Sequence, residues 1–485
     1  MLFRQGQLVP DVLQRREIGY LQAWATRRPH KPVVIRGARQ VGKSTLVREF
    51  ARTARLTLVT VDFERDPELR EAFTHRDPAR ILALLKLLTG KTAAAGTHLL
   101  FLDEIQAAPE ALAALRYFHE EMPELHVVAA GSLLEFALAE TRFPMPVGRV
   151  EYMNLGPMHF EDFVVAMGEA DVADFLRGLP LNSIRNNALP AVLHRKCLDL
   201  VRRYWVVGGL PEAVAAFVRA PGRGTDFEPL SRVLQSVVAT YRDDFGKYGR
   251  SRDRNRIRMV FDRLPHLVTR KFKYVEVSRE HRAAEIAAAL EHLCMARVAS
   301  KVFRTAANGM PLAAEASQRL FKCLHIDVGL MCAGLGLDVL DLERQRDPTL
   351  VNRGAVAEQF VGQHLLYDDA PYVTPALHYW AREARNAAAE VDYVIAVGSR
   401  VVPVEVKAGA TGSLRSLQQF VREKSSRLAL RFNADPPNLL RESRKLPDGT
   451  AVSYDLLSLP LYLVGQARRL IGEVAATKPR SAVCR

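Results

Sequence analysis

The chain has 485 residues, 48% hydrophobic and 25% charged, ordinary for folded protein but too long for one core, so about two to four domains are expected. No run approaches the roughly 18 apolar residues of a bilayer span, and Met1–Gln7 lacks the apolar stretch and cleavage site of a secretory leader. A net charge of +14 favours polyanionic partners, and five scattered cysteines (Cys197, Cys294, Cys323, Cys332, Cys484) point to reduced thiols in a cytoplasm rather than disulfides or zinc.

Lys31–Arg36 reads as a short buried strand and Thr45–Ala51 as a helix. Between them Gly37-Ala38-Arg39-Gln40-Val41-Gly42-Lys43-Ser44 spells Gly-x4-Gly-Lys-Ser, and strand, glycine loop and helix together predict a phosphate-binding loop. Gly37 and Gly42 let the backbone take positive φ and approach phosphates closely. The N–H groups from Ala38 to Thr45, at a helix N-terminus, face an anion with partial positive charge. Lys43 is expected to reach the β- and γ-phosphates of ATP, and Ser44 to ligate Mg2+.

Leu56–Asp62 reads as a second strand, and His98–Glu104 as an apolar strand ending in two carboxylates. Asp103 is expected to hold Mg2+, usually through water, and Glu104 to polarise the attacking water. Leu125–Ser132 is one more strand with a polar end. Ser132 reads as a cap on the helix Leu133–Leu138. The strand arrangement resembles the additional-strand, catalytic-glutamate division of P-loop ATPases, which implies a γ-phosphate sensor at the same place; the cap does not exclude it. Arg149, in Pro146-Val-Gly-Arg149, is a candidate arginine finger or a surface arginine.

Alternating strands and helices over residues 1–165 predict a parallel sheet covered on both faces. Residues 166–260 have helical periodicity, punctuated by Gly208-Gly209 and Pro211. The basic run Lys247–Arg258 is either a solvated helix face or a phosphate contact. Residues 261–340 predict a helix at Arg282–Leu293 and a strand pair from Ala296–Phe303, an order like that of a winged helix. Residues 341–470 form a further domain, and 471–485 end in a loose basic tail.

In that last domain Val391–Val397 and Arg400–Ala408 are strands joined by Gly398-Ser399, a hairpin turn. The register expected from the turn sets Val397 opposite Arg400 and Asp392 opposite Glu405. Asp392, Glu405 and Lys407 then share one face, while Val391, Tyr393, Ile395, Val397, Val402, Val404 and Val406 form an apolar stripe on the other. Glu358, on a helix over Gly354–Leu366, supplies another carboxylate. The group reads either as a metal-dependent phosphodiesterase site or as an inert ion-pair cluster.

With Gly37–Ser44, Leu100–Gln106, Ala130–Leu134, Pro146–Arg149, Val207–Glu212, Gly354–Phe360 and Val404–Gly409 in this order, the chain resembles the bacterial and archaeal AAA+-type ATPases with a C-terminal DUF4143 domain. The resemblance implies an α/β P-loop ATPase of the additional-strand, catalytic-glutamate division, a winged-helix-like linker and a C-terminal restriction-endonuclease-like fold. Asp392, Glu405 and Lys407 match the PD-(D/E)xK pattern, and Glu358 matches its helix acid. One departure lies in Lys322–Gly329, where Cys323 and His325 alter the aromatic ending, a change expected to touch packing rather than chemistry.

The leading expectation is a cytoplasmic MgATP hydrolase coupling nucleotide state to the C-terminal domain, on nucleic acid or as a homo-oligomer, with no membrane partner. An ATP-regulated metal-dependent nuclease and a nucleotide-gated switch without nuclease activity are the alternatives.

Overall fold

The computed structural model describes residues 13–139, 148–186, 188–220, 227–245, 251–337, 353–382, 389–409, 414–445 and 449–476. Met1–Gln7, Pro146 and Val147, residues 247–250 of the basic run, and the tail from Thr477, with Cys484, lie outside the described residues.

Five parallel strands, β1 (Val33–Arg36), β2 (Thr57–Asp62), β3 (His98–Asp103), β4 (His126–Ala130) and β5 (Glu151–Asn154), form one sheet in the order β2-β3-β4-β1-β5. β4 inserts between the loop strand β1 and the acid strand β3, which is the additional-strand arrangement. Helices cover both faces, so Leu99, Leu100, Phe101 and Leu102 are all fully buried. Burying each such side chain contributes roughly 1.5–3 kcal/mol, enough to make a continuous apolar run the best sequence for this strand. β5 has no such run. Its Glu-Tyr-Met-Asn is a strand because it pairs with β1, Val33 to Glu151 through Arg36 to Asn154.

The middle region is helical, with long helices at Ala191–Val207, Pro211–Arg219, Glu228–Asp244, Ser251–Leu267 and Ala283–Met295. Gly208, at φ 73°, ends the first of these, and Pro211 sits at the start of the second. A Cβ on Gly209 would lie 2.4 Å from the Met158 carbonyl oxygen, so glycine is required where this turn meets the first domain.

A second, eight-stranded sheet has the order β12-β13-β11-β10-β9-β8-β6-β7. Its members are β6 (Ala299–Thr305), β7 (Ala316–His325), β8 (Leu377–Arg382), β9 (Ala389–Val397), β10 (Arg400–Val406), β11 (Leu428–Asn433), β12 (Asn438–Lys445) and β13 (Ala451–Pro460). The hairpin after Ala283–Met295 does not stand apart as a wing. β6 pairs with β7 and also lies parallel to β8, so the middle region donates two strands to the C-terminal sheet.

The β9–β10 ladder runs as the Gly-Ser turn requires, from Arg400 opposite Val397 to Val404 opposite Tyr393. The expected single apolar stripe needs correction, because the sheet is covered on both faces. Tyr393, Ile395, Val402 and Val404 pack in the main core, whereas Val391 and Val394 pack with Trp380, Leu417 and Phe420 on the other side. The cause is a β-bulge. His378 pairs with Val394 and Trp380 with Val391, so Asp392 and Tyr393 together oppose Tyr379 alone, and alternation slips by one residue.

Candidate functional site

The loop after β1 is shaped by backbone constraints at three residues. A Cβ on Gly37 would sit 2.4 Å from the Leu155 carbonyl oxygen, while Gly42 (φ 89°) and Gln40 (φ 63°) are left-handed. The loop opens the helix Lys43–Thr53, so its first N–H groups lack helical partners and face the site. Lys43 is buried and folds back on its own loop, its Nζ donating to the carbonyls of Gly37 (2.9 Å) and Ala38 (2.8 Å). Burial lowers its pKa to about 8, helped by Arg39 and Arg297 and opposed by Glu104 and Asp103.

Ser44 Oγ donates to Asp103 Oδ2 at 2.7 Å, joining the helix start to the end of β3. Asp62 ends β2 directly beside Asp103. Burial and the neighbouring acids hold Asp103 above the usual carboxylate range, the hydrogen bond from Ser44 opposing them. These oxygens are the hard donors that Mg2+ takes, so the residues fit that ion.

Glu104 stands just past the strand in a left-handed conformation (φ 48°, ψ 46°), which costs on the order of 1–3 kcal/mol and persists only where its surroundings enforce it. Its Oε2 accepts from Gln106 Nε2 (2.7 Å), the Ser132 N–H (3.1 Å) and Ser132 Oγ (3.2 Å). Burial pushes Glu104 up, but these bonds and the Lys43 charge outweigh it and keep the carboxylate ionised. Ser132 therefore holds Glu104 as well as preceding the helix Leu134–Ala139.

Arg39 links the loop to the middle region. Its Nε donates to Ser132 Oγ (3.2 Å), its Nη1 pairs with Asp244 (2.7 Å), and its carbonyl accepts from the Tyr241 hydroxyl (2.7 Å). Arg297, in the turn before β6, pairs with Glu135 at 2.7 Å on the helix that follows Ser132. Neither partner set was visible in the sequence, because 205 residues separate Arg39 from Asp244 and 162 separate Arg297 from Glu135.

The structure does not bring Arg149 to this group. It precedes β5 at the edge where β1 begins, the opposite end of the sheet from Gly37, and pairs with Glu120 at 2.7 Å. Within the basic run, Arg256 pairs with Asp253 and Glu285, and Arg258 with Asp243.

Glu358, Asp392, Glu405 and Lys407 do come together beneath the C-terminal sheet. Lys407 Nζ lies 2.6 Å from Glu405 Oε1, and Asp392 Oδ2 accepts the Val406 N–H at 2.7 Å. Lys322, on β7, joins them and was missed in the sequence. In the sequence it belongs to the Lys322–Gly329 stretch, whose departure from the family pattern is expected to touch packing.

The N-terminal sheet, with its phosphate loop and paired acids, agrees with a family match: residues 29–164 fit the model described as an AAA domain. This part of the chain is an AAA domain. Residues 198–341 match a domain of unknown function (DUF8612), and 353–442 another (DUF4143), so the DUF4143 domain stands at the C-terminus as the resemblance implied. The comparison with curated proteins found no match.

Among solved structures, the chain is similar to a Walker-type ATPase of Pyrococcus abyssi (16% identity, 67% of this chain and 96% of that one, TM-score 0.42). It is also similar to the ORC2 protein of Aeropyrum pernix (16% identity, 70% and 97%, TM-score 0.37). At these scores neither likeness adds to what the strand order and the AAA match already give.

Proposed function

We propose that the chain binds MgATP in the AAA domain and hydrolyses it, and that the nucleotide state is passed to the C-terminal domain. The observation that carries this reading is the convergence of Lys43, Ser44, Asp103 and Glu104, with Glu104 held in a left-handed turn by Ser132 and Gln106. The loop N–H groups receive the phosphates. Lys43 leaves the Gly37 and Ala38 carbonyls and turns its ammonium to the β- and γ-phosphates. Ser44 and Asp103 hold Mg2+, whose charge, when bound, neutralises the phosphate oxygens. Glu104 stays ionised and orients the attacking water.

Two contacts support the coupling. Asn154, at the end of β5 beside Arg36, donates from Nδ2 to the carbonyls of Pro371 (3.1 Å) and Val373 (3.0 Å), beyond the Arg353–Leu366 helix. The Gly209 N–H donates to Asp327 (2.7 Å), which also accepts from Gln363 on that helix. These contacts tie the end of β5, beside the strand that enters the phosphate loop, and the Gly208-Gly209 turn to residues of the C-terminal domain.

The charge of +14 supports a nucleic-acid partner, and four free thiols among the described residues support a cytoplasmic setting. No helix of the described residues is long and apolar enough to cross a membrane.

Turnover and nucleotide titration test the reading. Lys43→Ala abolishes ATP binding or hydrolysis, and Glu104→Gln retains binding while stalling hydrolysis. Unchanged turnover in both variants removes the assignment.

A further inference from the structure

The C-terminal carboxylates have the residue types of a metal-dependent phosphodiesterase, and their fit to a divalent cation can be judged from what already touches them. Lys322 is 2% exposed, and its Nζ lies 3.1 Å from Glu358 Oε1 and 2.7 Å from Glu390 Oε1, over the Tyr379 ring. Lys407 takes one oxygen of Glu405, and the Val406 N–H takes one oxygen of Asp392. Each acid a metal would recruit therefore already has an internal donor.

We infer that Lys322 stands in the place of a divalent cation, so that this cluster is neutralised from within and is not a metal-dependent nuclease centre. A buried ammonium persists only where carboxylates compensate its lost hydration, and here two do. Mg2+ demands about six oxygens at close range and would share Glu358 with a fixed positive charge. Lys322 cannot easily withdraw. Its backbone is opposite Val302 on β6 and bridged to Lys271 on the other side, and β6 is itself paired with β8.

Protons complete the neutralisation. Burial, with Asp392 adding to it, pushes Glu405 up to about 7, and its second oxygen has no hydrogen-bond partner among the described residues.

The probe is Mn2+, counted by electron paramagnetic resonance on the full chain without nucleotide. Ions held at Ser44 and Asp103 cancel when wild type is compared with Glu358→Gln. Wild type and Glu358→Gln are expected to bind Mn2+ equally. Lys322→Ala is expected to gain one Mn2+ per chain, and the double variant Lys322→Ala/Glu358→Gln to lose it again. The inference is overturned if wild type binds one more Mn2+ than Glu358→Gln, or if folded Lys322→Ala gains none. Should Lys322→Ala fail to fold, the comparison of wild type with Glu358→Gln and Asp392→Asn decides. None of these readouts depends on ATP turnover, so the AAA-domain reading stands or falls separately.

Discussion

Lys43 is expected to make nucleotide affinity depend on pH in a calculable way. Its ammonium is held mainly by burial at a pKa of about 8, against 10.5 for a free lysine, and the phosphates it is proposed to meet favour the charged form. Binding therefore takes up a proton wherever the free protein has lost one. With the bound-state pKa above the range, the apparent Kd scales as one plus the ratio of neutral to charged Lys43. That ratio makes the Kd about tenfold weaker at about pH 9 than at about pH 7, or about 1.4 kcal/mol. Stability moves the other way. A lysine whose folded pKa is depressed leaves the unfolded chain holding more protons between about pH 8 and pH 10.5, so its contribution to nucleotide-free stability rises through that window. Falling affinity is then not unfolding. Calorimetric titration of MgATP in buffers of different ionisation heat reads both the Kd and the proton uptake. A Kd flat across this range, with no proton taken up, refutes the placement of Lys43 against phosphate.

Ser132→Ala removes one of the three donors to Glu104, and the loss is expected to lower turnover about tenfold with ATP affinity little changed, as steady-state kinetics and titration would show. Asn154→Ala leaves the Pro371 and Val373 carbonyls without their side-chain donor; a loss of about 1–3 kcal/mol of stability is expected in denaturant unfolding, with weaker thermal coupling between ATP binding and the C-terminal domain. Among the described residues Arg149→Ala breaks the Glu120 pair, away from the phosphate loop, so ATP affinity is expected to stay unchanged; turnover measured against protein concentration shows a defect only if Arg149 serves a neighbouring copy.

The phosphate loop and the acid pair closing β3 were legible along the chain because each depends on local chemistry. Glycines at Gly37 and Gly42 and carboxylates closing an apolar run need only neighbours in sequence, whereas the place of β4 between β1 and β3 was implied by the family resemblance. The Gly-Ser turn likewise set the β9–β10 register. What sequence periodicity could not contain is pairing at a distance. β5 is a strand because β1 lies beside it, and the bulge at Asp392 and Tyr393 exists because β8 opposes them with one residue fewer. Arg39 finds Asp244, and Lys322 finds Glu358 and Glu390, only after the domains have packed. Residue types alone therefore determined which chemistries the chain carries. Tertiary packing decided which charges are already satisfied, because the strength of an ionic contact depends on the partner and the dielectric around it.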